Sequence, residues 1–142
     1  MGTPHPPLAT EAIALRDAYA ALNRNDIAGF VRLFDPHIEH TEPDDFPGGG
    51  THRGLEAVKA LLSLHRGNWA EGACEPERFT VADDHVVVSA SVHVRLKHET
   101  AWRDGRIADV FIFRNGKVTQ WRTFADAQKA FAWAGIAVPG PG

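Results

Sequence analysis

The stretch that decides the fold is DVFIFRNGKVTQWRTF, residues 109–124. Its apolar run Val110–Phe113 is typical of a buried strand. The pair Asn115-Gly116 follows, and Asn-Gly between two strand-like runs is a strong short-range signal for a tight hairpin. We therefore predict two antiparallel strands, the second of which carries Trp121 opposite the first.

Asp109 is the unusual residue of this hairpin, because it is an acid at the start of an apolar strand. If its side chain faces a cavity, loss of hydration raises the pKa of the carboxyl group and suits it to donate a hydrogen bond or move a proton. If it marks the hydrated end of the strand, it pairs with Arg106 or Arg122, which lowers the pKa. Both interpretations are open at this point.

Length and charge restrict the class of protein. The 142 residues suit one domain, and a net charge of −3 gives no electrostatic reason to expect nucleic acid or an anionic membrane as a partner. A single cysteine, Cys74, excludes an internal disulfide framework and a cysteine-based zinc cluster. No stretch approaches the roughly 20 apolar residues of a membrane span, and residues 1–7 lack the pattern of a signal peptide. We therefore expect a cytoplasmic protein.

Helical and strand patterns are largely separated along the chain. Apolar residues recur at helical spacing over about 10–24, 27–34, 55–66 and 127–134. Strand patterns occupy about 38–42, 79–81, 86–97 and 109–124. Helices first and hairpin-linked strands later favour an α+β fold with helices packed on one face of an antiparallel sheet.

The ends and one internal segment have loop composition. We expect residues 1–9 and 136–142 to be flexible ends of a single domain that spans 10–135. Residues 44–50, DDFPGGG, are rich in Asp, Pro and Gly and predict a mobile loop. We expect this loop to gate a pocket, with Phe46 as its apolar plug.

Three segments carry a family resemblance. They are YAALNRNDIAGFVRLF at 19–34 with HTEP at 40–43, RGLEAV at 53–58, and DVFIFRNGKV at 109–118 followed by Trp121-Arg122. Together they resemble the nuclear transport factor 2-like superfamily, in its SnoaL-like polyketide cyclase and ketosteroid isomerase branches. The likeness covers about residues 10–135. It implies a cone-shaped α+β fold, in which a strongly curved, mostly antiparallel sheet is wrapped by N-terminal helices around an apolar pocket.

The resemblance also implies site residues. Ketosteroid isomerases use a carboxylate base and an oxyanion hole made from a tyrosine and a protonated aspartate. Carried over by position, the aspartate is Asp109 and the base is Glu42. The tyrosine falls on Ala18, one residue before Tyr19, so the isomerase set is incomplete.

A second branch of the superfamily, limonene epoxide hydrolase, resembles the chain in its Trp121-Arg122 pair. The catalytic Asp-Arg-Asp set of that branch has no clear equivalent, because Ser91 or His93, and Thr123, stand where carboxylates are needed. An epoxide hydrolase is therefore the lower-ranked enzymatic alternative.

His40 and Glu42 are two residues apart on a predicted strand, so their side chains leave the same face. If that face lines the pocket, a histidine and a carboxylate meet Asp109 across it. Such a set provides the acceptor and donor that proton abstraction next to a carbonyl requires. The alternative is a polar rim, since residues 39–42 are all polar.

The long strand at 86–97 alternates sharply between a valine-rich face and a polar face. Periodicity does not choose which face is inside. The resemblance places Ser91 and His93 toward the cavity and leaves the valine face for a partner subunit. The eight histidines lack the helical spacing of a zinc pair, so we expect no metal.

The sequence as a whole predicts a homodimer that binds a small, largely apolar organic molecule. We expect acid–base chemistry such as isomerisation, cyclisation or dehydration, without a cofactor. The alternative is a non-catalytic ligand-binding or dimerisation module. The expected catalytic residues are Asp109, Glu42 and His40, and the expected pocket residues are Tyr19, Phe46, His93, Phe111, Phe113 and Trp121.

Overall fold

The structure, a computed structural model, describes residues 9–138. Helices and strands alternate only in the middle of this range, and the long strands come late, as an α+β arrangement requires. The bounds are α1 Ala9–Asn23, α2 Ile27–Phe30, β1 Phe34–Glu42, β2 Gly50–Arg53, α3 Leu55–Gly67, β3 Trp69–Ala82, β4 His85–Leu96, β5 Arg103–Arg114, β6 Lys117–Phe124 and α4 Ala127–Ala134.

The helices form where helical spacing predicts them, with one difference in length. Asp26 caps α2, because its side chain accepts a hydrogen bond from the backbone N–H of Gly29. The helix ends at Phe30 and does not continue to Phe34. Phe34 already pairs with Val118 in the sheet, so sheet pairing overrides the helical spacing there.

The six strands of the described chain form an open, mostly antiparallel sheet in the order β2-β1-β6-β5-β4-β3. β1 and β6 are parallel, and the other neighbours are antiparallel. The predicted hairpin joins β5 to β6. Asn115 and Gly116 have φ angles of 53° and 77°, which a tight primed turn requires.

Three strands are longer than the sequence pattern indicates, and the first of them, β1, begins at Phe34 and not at residue 38. β5 begins at Arg103, and β3 begins at Trp69, well before the expected start near Phe79. β3 is an edge strand whose first half is mostly exposed, so it lacks the apolar alternation by which strands are recognised. A register shift between Pro76 and Arg78 accommodates a proline that has no N–H to donate.

The sheet buries an apolar cluster on each face. On the inner face, the even-numbered residues Val86 and Val88 of β4 pack with residues of α1, α2 and α3. On the outer face, Val87 and Val110 pack against Phe131 of α4. The valine-rich face is therefore covered within the chain and is not free for a partner subunit. The opposite orientation, which the resemblance implied for Ser91 and His93, is incorrect, because the helices cover the more apolar face.

The expected flexible ends fall largely outside the described residues, which exclude 1–8 and 139–142. Ala9 is already the first residue of α1, and residues 136–138 follow α4 without regular secondary structure. Over residues 9–138, the longest apolar stretches of helix are too short to cross a membrane.

Candidate active site

Asp109 lies on the inner face of β5 and is only 2% exposed. The register of the hairpin places Thr123 opposite it, and the Thr123 hydroxyl donates a hydrogen bond to Asp109 Oδ1 at 2.6 Å. The Tyr19 hydroxyl, from α1, donates to Oδ2 at 2.5 Å. Each carboxyl oxygen therefore has a hydroxyl partner, and the two partners come from different elements of the fold.

Burial raises the pKa of Asp109, because the charged carboxylate loses its hydration inside the protein. The hydroxyls of Thr123 and Tyr19, the nearby indole N–H of Trp121 and the charge of His40 act in the opposite direction, but they do not reverse the shift. The protein environment therefore favours the neutral, protonated form of Asp109 more strongly than water does.

The arginines that the sequence offered as partners lie elsewhere. Arg106 forms an ion pair with Glu77 at 3.2 Å, and Arg122 lies over the ring of Phe124 on the outer face. The cavity interpretation of Asp109 thus matches the structure and the ion-pair interpretation does not.

A bulge in the hairpin explains this arrangement. Phe113 pairs with Val118, and a regular continuation would place Asp109 opposite Arg122. The register shifts by one residue between Ile112 and Phe113, so that Asp109 faces Thr123 instead. Because side chains alternate along a strand, this single shift turns the threonine inward and the arginine outward. The role of Thr123 as a partner of Asp109 was missed for this reason.

Tyr19 supplies the phenol that the resemblance placed at Ala18. Its buried ring makes edge contacts with Phe30 and Phe111, at centroid distances of 6.0 and 6.2 Å. Burial, and next the negative charge of Asp109, raise the pKa of Tyr19 well above the ordinary value of 10.0, so the phenol keeps its proton. Successive helix residues differ by about 100°, and only the packing of α1 shows which of the two neighbours reaches the carboxyl group.

His40 and Glu42 of β1 form a second polar group. His40 is 1% exposed, and its ring stacks on Trp121 with a centroid distance of 3.6 Å. Its Nδ1 lies 3.0 Å from the backbone oxygen of Trp121, and its Nε2 lies 3.1 Å from Glu42 Oε2. A carbonyl oxygen only accepts, so Nδ1 carries a hydrogen. The contact with Glu42 therefore depends on one proton shared between Nε2 and the carboxyl group.

Three histidines lower the pKa of the Glu42 carboxyl group. Burial by itself raises the pKa of this carboxyl group, but the hydrogen bond and charge of His40, with the charges of His65 and His52, bring the pKa below its ordinary value of 4.5. Glu42 is therefore a carboxylate at neutral pH. Among residues 9–138, no group of three or more His, Cys, Asp or Glu side chains is arranged to hold a metal ion.

One cavity of about 570 Å³ joins the two polar groups. Asp109 and Tyr19 line it, and so do His40 and Glu42. The structure thus brings together Asp109, Glu42 and His40, the three residues expected from the sequence to be catalytic. Most of the remaining wall is apolar and includes Leu22, Phe30, Leu61, Leu62, Trp69, Cys74, Val92, Val94, Leu96 and Ile107.

The other expected pocket residues divide into three groups. Phe46 and Trp121 line the cavity. Phe111 and Phe113 are buried in the inner core without lining it. The side chain of His93 is 58% exposed and lies on the outer face, outside the cavity. The wall contributed by α3 was not expected, although Leu61 and Leu62 belong to its predicted apolar face.

The loop at residues 43–49 closes against the Glu42 side of the cavity. Phe46 lines the cavity, and the Gly48 carbonyl lies 2.9 Å from His52 Nε2. A Cβ atom on Gly48 would lie 2.5 Å from Glu42 Oε2 and 2.6 Å from His65 Cε1. A side chain at this position would therefore require Glu42, His65 or the loop itself to move.

We expect Asp109→Asn to preserve the fold, because an amide accepts from one hydroxyl and donates to the other. The raised pKa makes the stability contribution of Asp109 complete below the ordinary value of 3.8 and progressively lost as pH rises through the folded value. The variant lacks this loss, so its free energy of unfolding relative to wild type should increase from acid to neutral pH. Urea unfolding at a series of pH values measures this difference.

The exposed loop variant Asp44→Asn serves as the control and should show no such trend. A pH-independent loss of about 3–5 kcal/mol in Asp109→Asn, the range for breaking a buried ion pair, would instead mark Asp109 as a structural charge.

We expect a ligand that fills the cavity to slow hydrogen exchange at residues 43–49, because Phe46 covers part of it. In the ligand-free protein, Gly48→Ala should displace the loop from Glu42 and speed this exchange. Gly67→Ala, where a new Cβ meets open space, is the matched control and should leave the loop unchanged. Exchange that stays the same at ligand saturation would make the loop a surface connection only.

Solved structures with this architecture are known. TerC, co-crystallised with polyporic acid, aligns with a TM-score of 0.73 at 21% identity, over 87% of this chain and 97% of TerC. A nuclear transport factor 2-like protein of Burkholderia xenovorans LB400 aligns at 0.68 and 29% identity, over 87% and 93% of the two chains. A Catenulispora acidiphila DSM 44928 protein with a ketosteroid isomerase-like fold, in complex with trimethylamine, aligns at 0.70 and 16% identity, over 89% and 97%.

These likenesses show the cone fold of the nuclear transport factor 2-like superfamily, which confirms the expected fold class. Among curated proteins, no sequence matches. The family model for the SnoaL-like domain matches residues 15–121, which is most of the chain and includes Tyr19, the His40–Glu42 pair and Asp109. The chain therefore belongs to the SnoaL-like domain family.

Proposed function

We propose that the protein is a cofactor-independent acid–base enzyme, which moves a proton at a carbon next to a carbonyl group of a small, largely apolar organic molecule. The observation that carries this proposal is that two proton-holding groups, Asp109 with Tyr19 and Glu42 with His40, line one cavity of about 570 Å³. Isomerisation, cyclisation and dehydration all use such a proton transfer.

Asp109 and Tyr19 form the donor side of the proposed site. The raised pKa of Asp109, caused by burial, supports a neutral acid. A neutral Asp109 can donate to the Tyr19 oxygen across the same 2.5 Å contact, which leaves the phenol proton free for a ligand oxygen. Donors that the fold holds in place stabilise the negative charge that develops on a carbonyl oxygen.

Glu42 is the proposed base. Its lowered pKa keeps it ionised at neutral pH, and His40 orients it through Nε2 while Nδ1 is held by a backbone carbonyl. In an isomerisation, Glu42 takes a proton as one C–H bond breaks and returns it as another C–H bond forms. No external reactant is needed, so the step balances with the residues of this cavity alone.

The ligand is proposed to be a small apolar molecule with at least one oxygen. The apolar walls and a volume of about 570 Å³ fall within the usual range of small-molecule pockets. The binding of polyporic acid by TerC and of trimethylamine by the Catenulispora protein also supports a small-molecule ligand.

Exchange of a carbon-bound proton with solvent tests the proposal. We expect the protein to accelerate deuterium uptake by 1-tetralone, a bicyclic ketone with one enolisable carbon, in D₂O followed by ¹H NMR. Glu42→Gln and Asp109→Asn should each slow this exchange by about 100-fold or more, the usual contribution of a general acid or base. Glu39→Gln is the matched control, because Glu39 lies on the same strand but pairs with Arg53 at the surface.

Two results would contradict this assignment. Saturable binding of 1-tetralone without faster exchange would favour the non-catalytic ligand-binding module. Equal exchange rates in the wild type and Glu42→Gln would remove Glu42 from the role of base.

We also propose a homodimer formed through the outer face of the sheet. Trp102 and Trp133 are 41% and 37% exposed, and both lie on this side, against His93 and Phe124. Tryptophan is enriched in protein interfaces. We expect a sedimentation mass near twice 15.5 kDa at micromolar concentration.

In the same measurement, Trp102→Ala should shift the population toward the monomer. Leu64→Ala, which removes a 71% exposed side chain from α3, should not. A monomeric wild type at micromolar concentration would contradict the dimer.

A further inference from the structure

His65 differs from the other two histidines near Glu42 in where its ring lies. It follows Leu61 by one turn of α3, and both residues line the cavity. His65 also lines a second pocket, of about 640 Å³. Leu64, whose side chain is 71% exposed, belongs to the wall of that second pocket, so the pocket opens to solvent. The imidazole of His65 therefore lies between the cavity that holds Glu42 and the surface of the protein.

Glu42 and His65 face the same point beside Gly48. A Cβ atom built on Gly48 would lie 2.5 Å from Glu42 Oε2 and 2.6 Å from His65 Cε1. Because glycine has no side chain, none separates the carboxylate from the imidazole at this point. Burial raises the pKa of Glu42, and the charge of His65 is one of the effects that together bring it below its ordinary value. The two groups are therefore close enough to interact electrostatically.

The other two histidines offer no route by which a proton could leave Glu42. His40 is 1% exposed, and its ring nitrogens are engaged by a backbone carbonyl and by Glu42 itself. His52 does not line the cavity, and its Nε2 lies 2.9 Å from a carbonyl of the loop. The ring of His65 makes no hydrogen bond with another residue of 9–138, and its nitrogens are not among the buried polar atoms of that range that lack a partner. They are therefore accessible for taking up and releasing protons.

We infer that His65 carries protons between Glu42 and bulk water. After Glu42 has taken a proton from the ligand, it passes a proton to the neutral imidazole, and the imidazolium then releases a proton to water. The reverse sequence brings a solvent proton to Glu42, and no electrons are transferred. Imidazole suits this role because it takes up and gives up protons near neutral pH. The inference rests on the proposed function, to which it adds the route by which the abstracted proton leaves the cavity.

The relay determines how often an abstracted proton exchanges with solvent. Glu42 can return the same proton to the ligand, because a general base becomes a general acid once it is protonated. Deuterium from the solvent enters the ligand only when exchange at Glu42 competes with this return. Loss of His65 should therefore slow deuterium uptake while it leaves cleavage of the C–H bond nearly unchanged.

Variants of His65 separate a relay from an effect of charge. We expect His65→Ala to slow deuterium uptake by 1-tetralone about tenfold, compared with about 100-fold for loss of the base. Added imidazole should restore the rate of this variant and leave the wild-type rate unchanged. His65→Lys keeps a positive charge but holds its proton near neutral pH, so it should be as slow as His65→Ala. His37→Ala, which removes an exposed imidazole of β1 outside the cavity, is the matched control and should equal the wild type.

An isotope effect identifies the slow step in the same variants. Loss of deuterium and loss of tritium from labelled 1-tetralone are compared in H₂O. If cleavage of the bond to carbon limits the rate, deuterium leaves faster than tritium. If return outpaces exchange at Glu42, cleavage reaches equilibrium and the two rates converge. We expect the deuterium-to-tritium rate ratio to lie closer to one in His65→Ala than in the wild type, whereas damage to packing or to the base would preserve the ratio.

Uptake at the wild-type rate in His65→Ala or His65→Lys would overturn the inference and leave the proposed function standing. Slower uptake with an unchanged isotope ratio, or without rescue by imidazole, would reduce His65 to a structural or electrostatic role. If His65→Ala does not fold, His65→Gln takes its place in each measurement, because an amide does not carry protons near neutral pH. Absence of any faster uptake with the wild-type protein would refute the proposed function, and the relay with it.

Discussion

The hydrogen bonds of Tyr19 and Thr123 to the buried carboxyl group of Asp109 constrain the rest of this structure. A carboxyl group inside a protein costs several kcal/mol unless its oxygens have partners. These partners come from α1 and β6, so the helix and the hairpin must meet at one relative position. The side chain of Asn23 holds the end of the same helix on β3, through the backbone N–H and C=O of Cys74 at 2.9 Å each.

The surroundings of the two carboxyl groups in the cavity shift their pKa values in opposite directions. Burial raises the pKa of Asp109, whereas the hydrogen bond and charge of His40, with the charges of His52 and His65, outweigh burial and lower the pKa of Glu42. Such a separation of pKa values allows one site to hold an acid and a base at the same pH. The difference between the two pKa shifts follows from the partners of each group, because hydroxyls surround Asp109 and imidazoles surround Glu42. It does not follow from the residue types.

Much of the site followed from local pattern. The alternation of a strand predicted that His40 and Glu42 share a face, which agrees with the structure. The apolar run around Asp109 left a buried acid and a surface ion pair as open alternatives, and only the structure shows that the acid is buried. The edge strand β3 was not recognised over its full length, because a strand exposed along much of its length has no apolar alternation. The alternation along β4 does not show which face is inside, because both faces of a sheet can be covered, and the placement of His93 inside, which the resemblance implied, was wrong.

The sequence by itself determined the hairpin at Asn115-Gly116, the apolar faces of the helices, and the family, because these depend on short-range backbone preferences and periodicity. Only the tertiary structure decided which side chains meet Asp109. A one-residue bulge in β6 turned Thr123 inward and Arg122 outward, and the packing of α1 chose Tyr19. Each of these choices is a rotation or a register shift of a single residue, which leaves the local pattern almost unchanged but reverses which side chain faces the cavity.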